Sequence, residues 1–161
     1  MGKKIEIRAD YELFSSAEEL PAPEAALLAR AHDACDTAYA PYSEFRVGAA
    51  ALLENGEIVL GSNQENAAYP STICAERAAL FSAAAQFPGV AIQAVAIRVK
   101  TAGERVERPI SPCGACRQVL FEFEWRQERP IQLLLQGDKG DIYRVASTKL
   151  LLPLLFDPSF L

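Results

Sequence analysis

"FRVGAAALLENGEIVLGS", residues 45–62, decides the fold. Two strand-like runs flank Asn55-Gly56. Such a pair between apolar runs is the strongest short hairpin signal, because a type I′ turn needs positive φ at both central residues. The spacing therefore predicts two antiparallel strands that reverse at 55–56. Downstream, TICAERAALFSAAAQF (72–87) has helical period and composition, and VAIQAVAIRV (90–99) is a nearly continuous apolar run that suits a strand covered on both faces. SPCGACRQVLFEFEW (111–125) reads as a further helix. Ser111 is placed at its N-cap and Pro112 at the first helical position, where a missing N–H costs nothing. IQLLLQ (131–136) and DIYRVAS (141–147) read as strands around GDKG.

Upstream, EAALLARAHDACDTA (24–38) has helical spacing and is bounded by Pro41. KKIEIRA (3–9) alternates and predicts a short edge strand. Residues 15–23, 63–71 and 101–110 read as loops, the last of them charged. The tail from Ser147 holds one short helix ending before Pro153. A hairpin followed by strand–helix alternation predicts an α/β fold, a three-layer α/β/α sandwich around a mixed sheet.

The chain has 161 residues, 50% hydrophobic and 23% charged, which suits one domain over 1–161 with a full core. The formal net charge is −5 and no run of Lys or Arg occurs, so no nucleic-acid partner is expected. No apolar run reaches the roughly 18 residues of a membrane span, so no membrane partner is expected either. The start, MGKKIEIRADYELF, lacks the apolar centre of a signal peptide, and Glu6 stands where the myristoylation pattern has Ser or Thr. The expectation is a cytoplasmic protein whose four cysteines are thiols or metal ligands rather than disulfides.

Two of those cysteines lie in "PCGACRQ" (112–118). A CxxC by itself can pin a structural metal, exchange disulfides, or fill a buried helix face. The other two sharpen the choice. Cys74 falls in the first turn of the second long helix. Cys113 and Cys116 fall in the first two turns of the third, and their i, i+3 spacing puts both on one face. Zinc held by three protein ligands keeps its fourth position open, which is the catalytic arrangement. Three thiolates leave such a site with a net charge of −1. Two helix N-termini and the adjacent Arg77 and Arg117 offer compensation. Glu76 stands two residues after Cys74, where a carboxylate can do general acid–base work. The order Cys74-Ala75-Glu76 … Pro112-Cys113-x-x-Cys116 matches the signature of zinc nucleobase deaminases. The rival from another class is a structural zinc module with His32 or Cys35 as fourth ligand. A redox pair leaves Cys74 and Glu76 without a role.

At this point the chain resembles the short, homotetrameric cytidine deaminases. The likeness is carried by PYSEFRVGAAALL (41–53), NQENAAYPSTICAERAAL (63–80), SPCGACRQVLFEF (111–123) and, more weakly, LLPLLF (151–156), in family order. It implies a five-stranded mixed sheet and zinc-dependent hydrolysis of cytidine and deoxycytidine to uridine and deoxyuridine with release of ammonia, a pyrimidine-salvage reaction. One zinc per subunit is implied on Cys74, Cys113 and Cys116, with Glu76 as proton shuttle and Arg77 and Arg117 around the ligands. Asn63 and Glu65 match the pair that binds the ribose 3′-hydroxyl, and Phe45 the ring against the pyrimidine. Ala75 and the Ser111 carbonyl match groups on the base, the latter facing the leaving amine. Ala67, Tyr69 and Phe156 match residues that reach a neighbouring subunit's site, so a homotetramer with shared sites is implied. Ser62 and Ser71 depart from the Cys and Leu common in the family, away from the catalytic positions. Residues 1–22 form an extension longer than the family minimum. If Glu65 stands at the ribose as the resemblance implies, its carboxylate repels a nearby phosphate and accepts well from a free hydroxyl, which favours a nucleoside over a nucleotide.

Overall fold

Strand alternation sorts the side chains of this protein into two layers, and the helices cover both. The computed structural model describes residues 2–103 and 106–161; Met1 and the 104–105 part of the predicted 101–110 loop lie outside the described residues. Six strands form one sheet: β1 (Glu12–Phe14), β2 (Phe45–Leu53), β3 (Ile58–Ser62), β4 (Ile92–Thr101), β5 (Gln132–Gln136) and β6 (Ile142–Val145). Their order is β1-β6-β5-β4-β2-β3. Only β4 and β5 run parallel, and the others pair antiparallel, so the sheet is mixed. Three long helices pack on it: α1 (Ala22–Ala34), α2 (Ala75–Gln86) and α3 (Gly114–Gln127).

The period of two along the strands assigns the faces. Ala50, Ala94, Ala96, Leu134 and Ile142 point to one side and bury against Leu27, Leu28 and Ala31 of α1. Ala49, Ala51, Val95, Ile97, Leu133 and Leu135 point to the other and bury against α2 and α3. This is the expected sandwich, and the apolar run at 90–99 is covered on both faces as its composition demands. No helix among the described residues is long and apolar enough to cross a membrane.

Four details differ from the sequence reading. The sheet has six strands rather than five, and the extra edge strand is residues 12–14 rather than 3–9. Alternation alone gives 3–9 no partner, whereas Glu12 and Phe14 meet Arg144 of β6, as described below. The hairpin turn is not type I′. Gly56 has φ +86° but Asn55 is not in the positive region. The loop is three residues, closed by Gly56 N–H donating to Leu53 O (3.0 Å) and Leu53 N–H to Glu57 O (2.9 Å). Helix α1 gives way at Cys35 to a 3₁₀ turn, Cys35–Thr37. Finally, α2 starts three residues and α3 two residues later than predicted. Cys74 and Cys113 are themselves the N-caps, with extended backbone (ψ 153° and 166°), and Ser111 lies two residues ahead of the α3 cap. A serine cap contributes only about 1 kcal/mol, which tertiary packing overrides.

The layers approach closely because β3 carries glycine where α2 crosses. A Cβ at Gly61 would stand 2.4 Å from both Ala75 O and Ala79 N. Backbone on both sides cannot yield, so Gly61→Ala is expected to destabilise the fold by about 3 kcal/mol, the upper end for overpacking. A lower urea midpoint at unchanged slope measures it; an unchanged midpoint refutes it.

The C-terminal segment is tied to α3 by one buried carboxylate. Glu124 accepts from Ile131 N–H (2.9 Å), from Thr148 N–H (2.8 Å) and hydroxyl (2.9 Å), and from the Ser147 hydroxyl. Thr148 opens the short 3₁₀ turn Thr148–Leu151, which ends before Pro153 as the sequence suggests.

Candidate metal centre

Gly61 lets α2 settle on the sheet beside α3, and the two N-termini meet. The N-caps Cys74 and Cys113 put their sulfurs 3.8 Å apart, and Cys116, one turn into α3, lies 3.4 Å from Cys113. All three sulfurs fall within 4.8 Å of one another, the only such group of metal-ligating side chains among the described residues. A tetrahedral zinc with Zn–S bonds of about 2.3 Å needs S···S edges of about 3.8 Å. The donor set and spacing thus fit zinc. Both helix N-termini direct their positive ends at the sulfurs.

Electrostatics separate Cys74 from Cys116. Cys74 is drawn down to about 5, first by a hydrogen bond from Cys116 and also by Arg77. Cys116 is pushed strongly up by the same bond and by burial. Arg77 donates Nη2 to Cys74 Sγ (3.7 Å) and to Thr72 O (3.5 Å), and so withdraws charge from that sulfur. Arg117 takes a different post from the one its position suggests. Its Nε donates to Pro112 O and its Nη1 to Leu151 O, each at 2.9 Å, which clips the C-terminal turn to the start of α3. No hydrogen bond joins it to a sulfur.

Glu76 is the second residue of α2 and only 4% exposed. Burial raises its carboxyl above the usual carboxylate range, and the neighbouring Cys74 charge adds to this. It lies with Cys74, Ala75 and Cys113 in the wall of a cleft of about 960 Å³. Ala75 is buried among core side chains, so what it can offer the cleft is its backbone N–H, one of the first-turn donors to which a helix gives no intrahelical partner.

Phe45, Asn63, Glu65 and Ser111 line the same cleft. Asn63 is held rigidly: its Oδ1 accepts from Val47 N–H (2.8 Å) and its Nδ2 donates to Phe45 O (2.9 Å). Each group retains capacity for a further bond. Glu65 accepts from the Ser43 hydroxyl and from Tyr42 N–H (2.9 Å), and these bonds hold its carboxyl below the ordinary value. It remains ionised at neutral pH.

Three of the substrate-contact residues that the resemblance implies lie outside the cleft. Ala67 sits on an exposed loop, and Tyr69, 74% exposed, opens the short 3₁₀ turn Tyr69–Ser71 that follows it. Phe156 is 58% exposed, stacks on Phe160 at 5.5 Å, and has its carbonyl bonded by Gln118. His32 and Cys35 belong to α1 and its continuation, across the sheet from the sulfurs, so neither can be a fourth ligand. The Cys35 thiol is buried, bonded to the Ala31 and Arg98 carbonyls at 3.6 Å, and pushed up to about 11 by desolvation. It is a core thiol. Sequence reasoning passed over Arg108, Pro109, Ile110 and Tyr143, which form another part of the cleft wall. The alternation of DIYRV places Tyr143 opposite Ile142 and was the one available signal.

Comparison with known proteins agrees with this geometry. The family model described as the cytidine and deoxycytidylate deaminase zinc-binding region matches residues 22–128. The cytidine deaminase of Sporosarcina psychrophila is 45% identical over 126 residues, 78% of this chain and 85% of that protein. That of Halalkalibacterium halodurans is 40% identical over 125 residues, 78% and 88% of the two chains. Among solved structures, cytidine deaminase from Burkholderia pseudomallei is similar at a TM-score of 0.69 and 42% identity, over 81% of this chain and 97% of the other. Cytidine deaminase from Mycobacterium tuberculosis gives 0.61 and 34%, over 82% and 95%.

Proposed function

The chain belongs to the cytidine and deoxycytidylate deaminase zinc-binding family, and from that premise we propose that Cys74, Cys113 and Cys116 hold its zinc, one ion per subunit, while Glu76 carries the protons. The protein is a zinc-dependent hydrolase that converts cytidine to uridine and ammonia. The observation that carries this reading is the meeting of three sulfurs within 4.8 Å beside a buried carboxylate in one cleft.

Zinc, when bound, supplies the Lewis acidity that makes water a nucleophile at neutral pH. The chain's residues do the rest. Glu76 takes a proton from the attacking water and delivers it to ring N3. It takes the second proton and delivers it to the departing amine, so the carboxylate is regenerated as ammonia leaves. Phe45 packs on the pyrimidine, and the Ala75 N–H and Ser111 carbonyl orient the base, the latter facing the leaving amine. Asn63 and Glu65 hold the ribose 3′-hydroxyl. Arg77 balances the sulfur charge, while Arg117 positions α3 rather than the metal.

The same reading extends to assembly. Ala67, Tyr69 and Phe156 are exposed because they complete a neighbouring subunit's site in a homotetramer. Residues 1–161 form a single catalytic domain with 1–22 as an extension. The protein works in the cytoplasm on free nucleosides in pyrimidine salvage, with neither nucleic acid nor membrane as partner.

Incubation of the purified, zinc-loaded protein with cytidine tests this. Ammonia release is expected with cytidine and deoxycytidine. Cytidine 5′-monophosphate should be turned over at least about tenfold less efficiently, because the Glu65 charge opposes its phosphate. Zinc-replete protein that releases no ammonia from cytidine would sink the proposal.

A further inference from the structure

Residues 11–14 join the fold by contacts that the catalytic residues do not explain. β1 pairs antiparallel with β6, matching Glu12 to Arg144, Leu13 to Tyr143 and Phe14 to Ile142. Arg144 holds Glu12 with a two-pronged bond, Nε to Oε2 at 2.7 Å and Nη2 to Oε1 at 2.8 Å. The same guanidinium lies 4.8 Å over the Phe14 ring and reaches Glu24 of α1 at 3.3 Å. A planar fork on a carboxylate fixes direction as well as distance. The strand is thereby anchored in register on one face of the sheet.

The opposite face of this strand pair points toward the cleft. Tyr143 lines the cleft and also packs on the core cluster beneath α2 and α3. Tyr11 stacks against it from outside, with ring centroids 4.5 Å apart and planes tilted by 45°. Neighbouring support runs the same way. The turn after β5 donates Asp138 N–H to Val106 O at 2.8 Å, and a Cβ at Gly140 would meet Glu107 O at 2.3 Å. The 106–110 part of the cleft wall therefore leans on the β5–β6 hairpin, and β1 braces the free edge of that hairpin.

We propose that residues 11–14 are a strap that positions the cleft wall, with Tyr11 as the positioning residue that holds the Tyr143 ring in place for nucleoside binding. This rests on the cleft's being the cytidine site. The strap acts on binding rather than on chemistry, because it touches neither the sulfurs nor Glu76. Tyr11 is itself 57% exposed and outside both core clusters, so its ring can be removed without opening the core.

The test is steady-state kinetics on the full chain as zinc-loaded wild type, Tyr11→Ala and Tyr11→Phe. Loss of one tilted aromatic pair should raise KM for cytidine about threefold to tenfold in Tyr11→Ala. Its kcat should stay within about twofold of wild type, and Tyr11→Phe, which keeps the ring, should match wild type. An unchanged KM in Tyr11→Ala overturns the strap. So does an equal rise in both variants, or a fall in kcat without a rise in KM, which would mark general loosening. A wild type that binds zinc but does not consume cytidine removes the parent reading and the strap together, whereas an active wild type with an unaffected Tyr11→Ala removes the strap alone.

Discussion

Glu76→Gln is expected to lose about 10²–10⁴-fold in kcat for cytidine while keeping stoichiometric zinc and an unchanged fold. Glutamine has the shape and volume of glutamate, so the packed position at the start of α2 stays filled. It carries no titratable proton. Both transfers assigned to Glu76, from water to N3 and from water to the leaving amine, then lose their carrier. The three sulfurs are untouched, so metal content measured on the purified variant should equal that of wild type. A glutamine variant with near wild-type kcat removes Glu76 from the mechanism. A variant that loses its zinc as well shows that the carboxylate supports the metal site rather than the chemistry.

Cys113→Ser gives the complementary result, a folded protein with little metal. Serine is a better N-cap than cysteine, so α3 keeps its start at Gly114. The hydroxyl does not ionise as a thiol does and is a poor partner for a zinc that two sulfurs still hold. Changes in groups merely adjoining a zinc site cost about 10–100-fold in affinity, and loss of a ligand should exceed that. Elemental analysis after exposure to a chelator should find the variant stripped while wild type retains its zinc, with activity falling in proportion. Cys35→Ala serves as the control. It lies across the sheet, so it should keep the metal and lose only stability. Full zinc retention in Cys113→Ser would exclude Cys113 as a ligand.

The residues of the candidate centre were legible because they are local. Cys74, Ala75 and Glu76 are consecutive, and Cys113 and Cys116 are one helical turn apart, so each half of the constellation is set by spacing along the chain. The same locality failed at Arg117. Adjacency to Cys116 suggested a donor to sulfur, yet its long side chain turns to the Pro112 and Leu151 carbonyls, the second of them 34 residues away. Arg77, with the same adjacency, does reach Cys74. Adjacent sequence cannot separate the two, since each arginine goes to whichever acceptors the packed tail and loops present.

The sequence by itself determined the layers, the hairpin and the three cysteines able to hold zinc. Periods of 2 and 3.6, a glycine at the turn and cysteines at helix starts are properties of short segments. Only the tertiary structure decided that α2 and α3 begin beside one another with three sulfurs between them, that His32 and Cys35 are stranded behind the sheet, and that residues 12–14 rather than 3–9 add the sixth strand. Those outcomes depend on which segments meet across long stretches of chain. The edge strand shows why most plainly: alternation permits many strands, but a strand forms where a partner edge offers an arginine fork for Glu12 and an aromatic face for Tyr11.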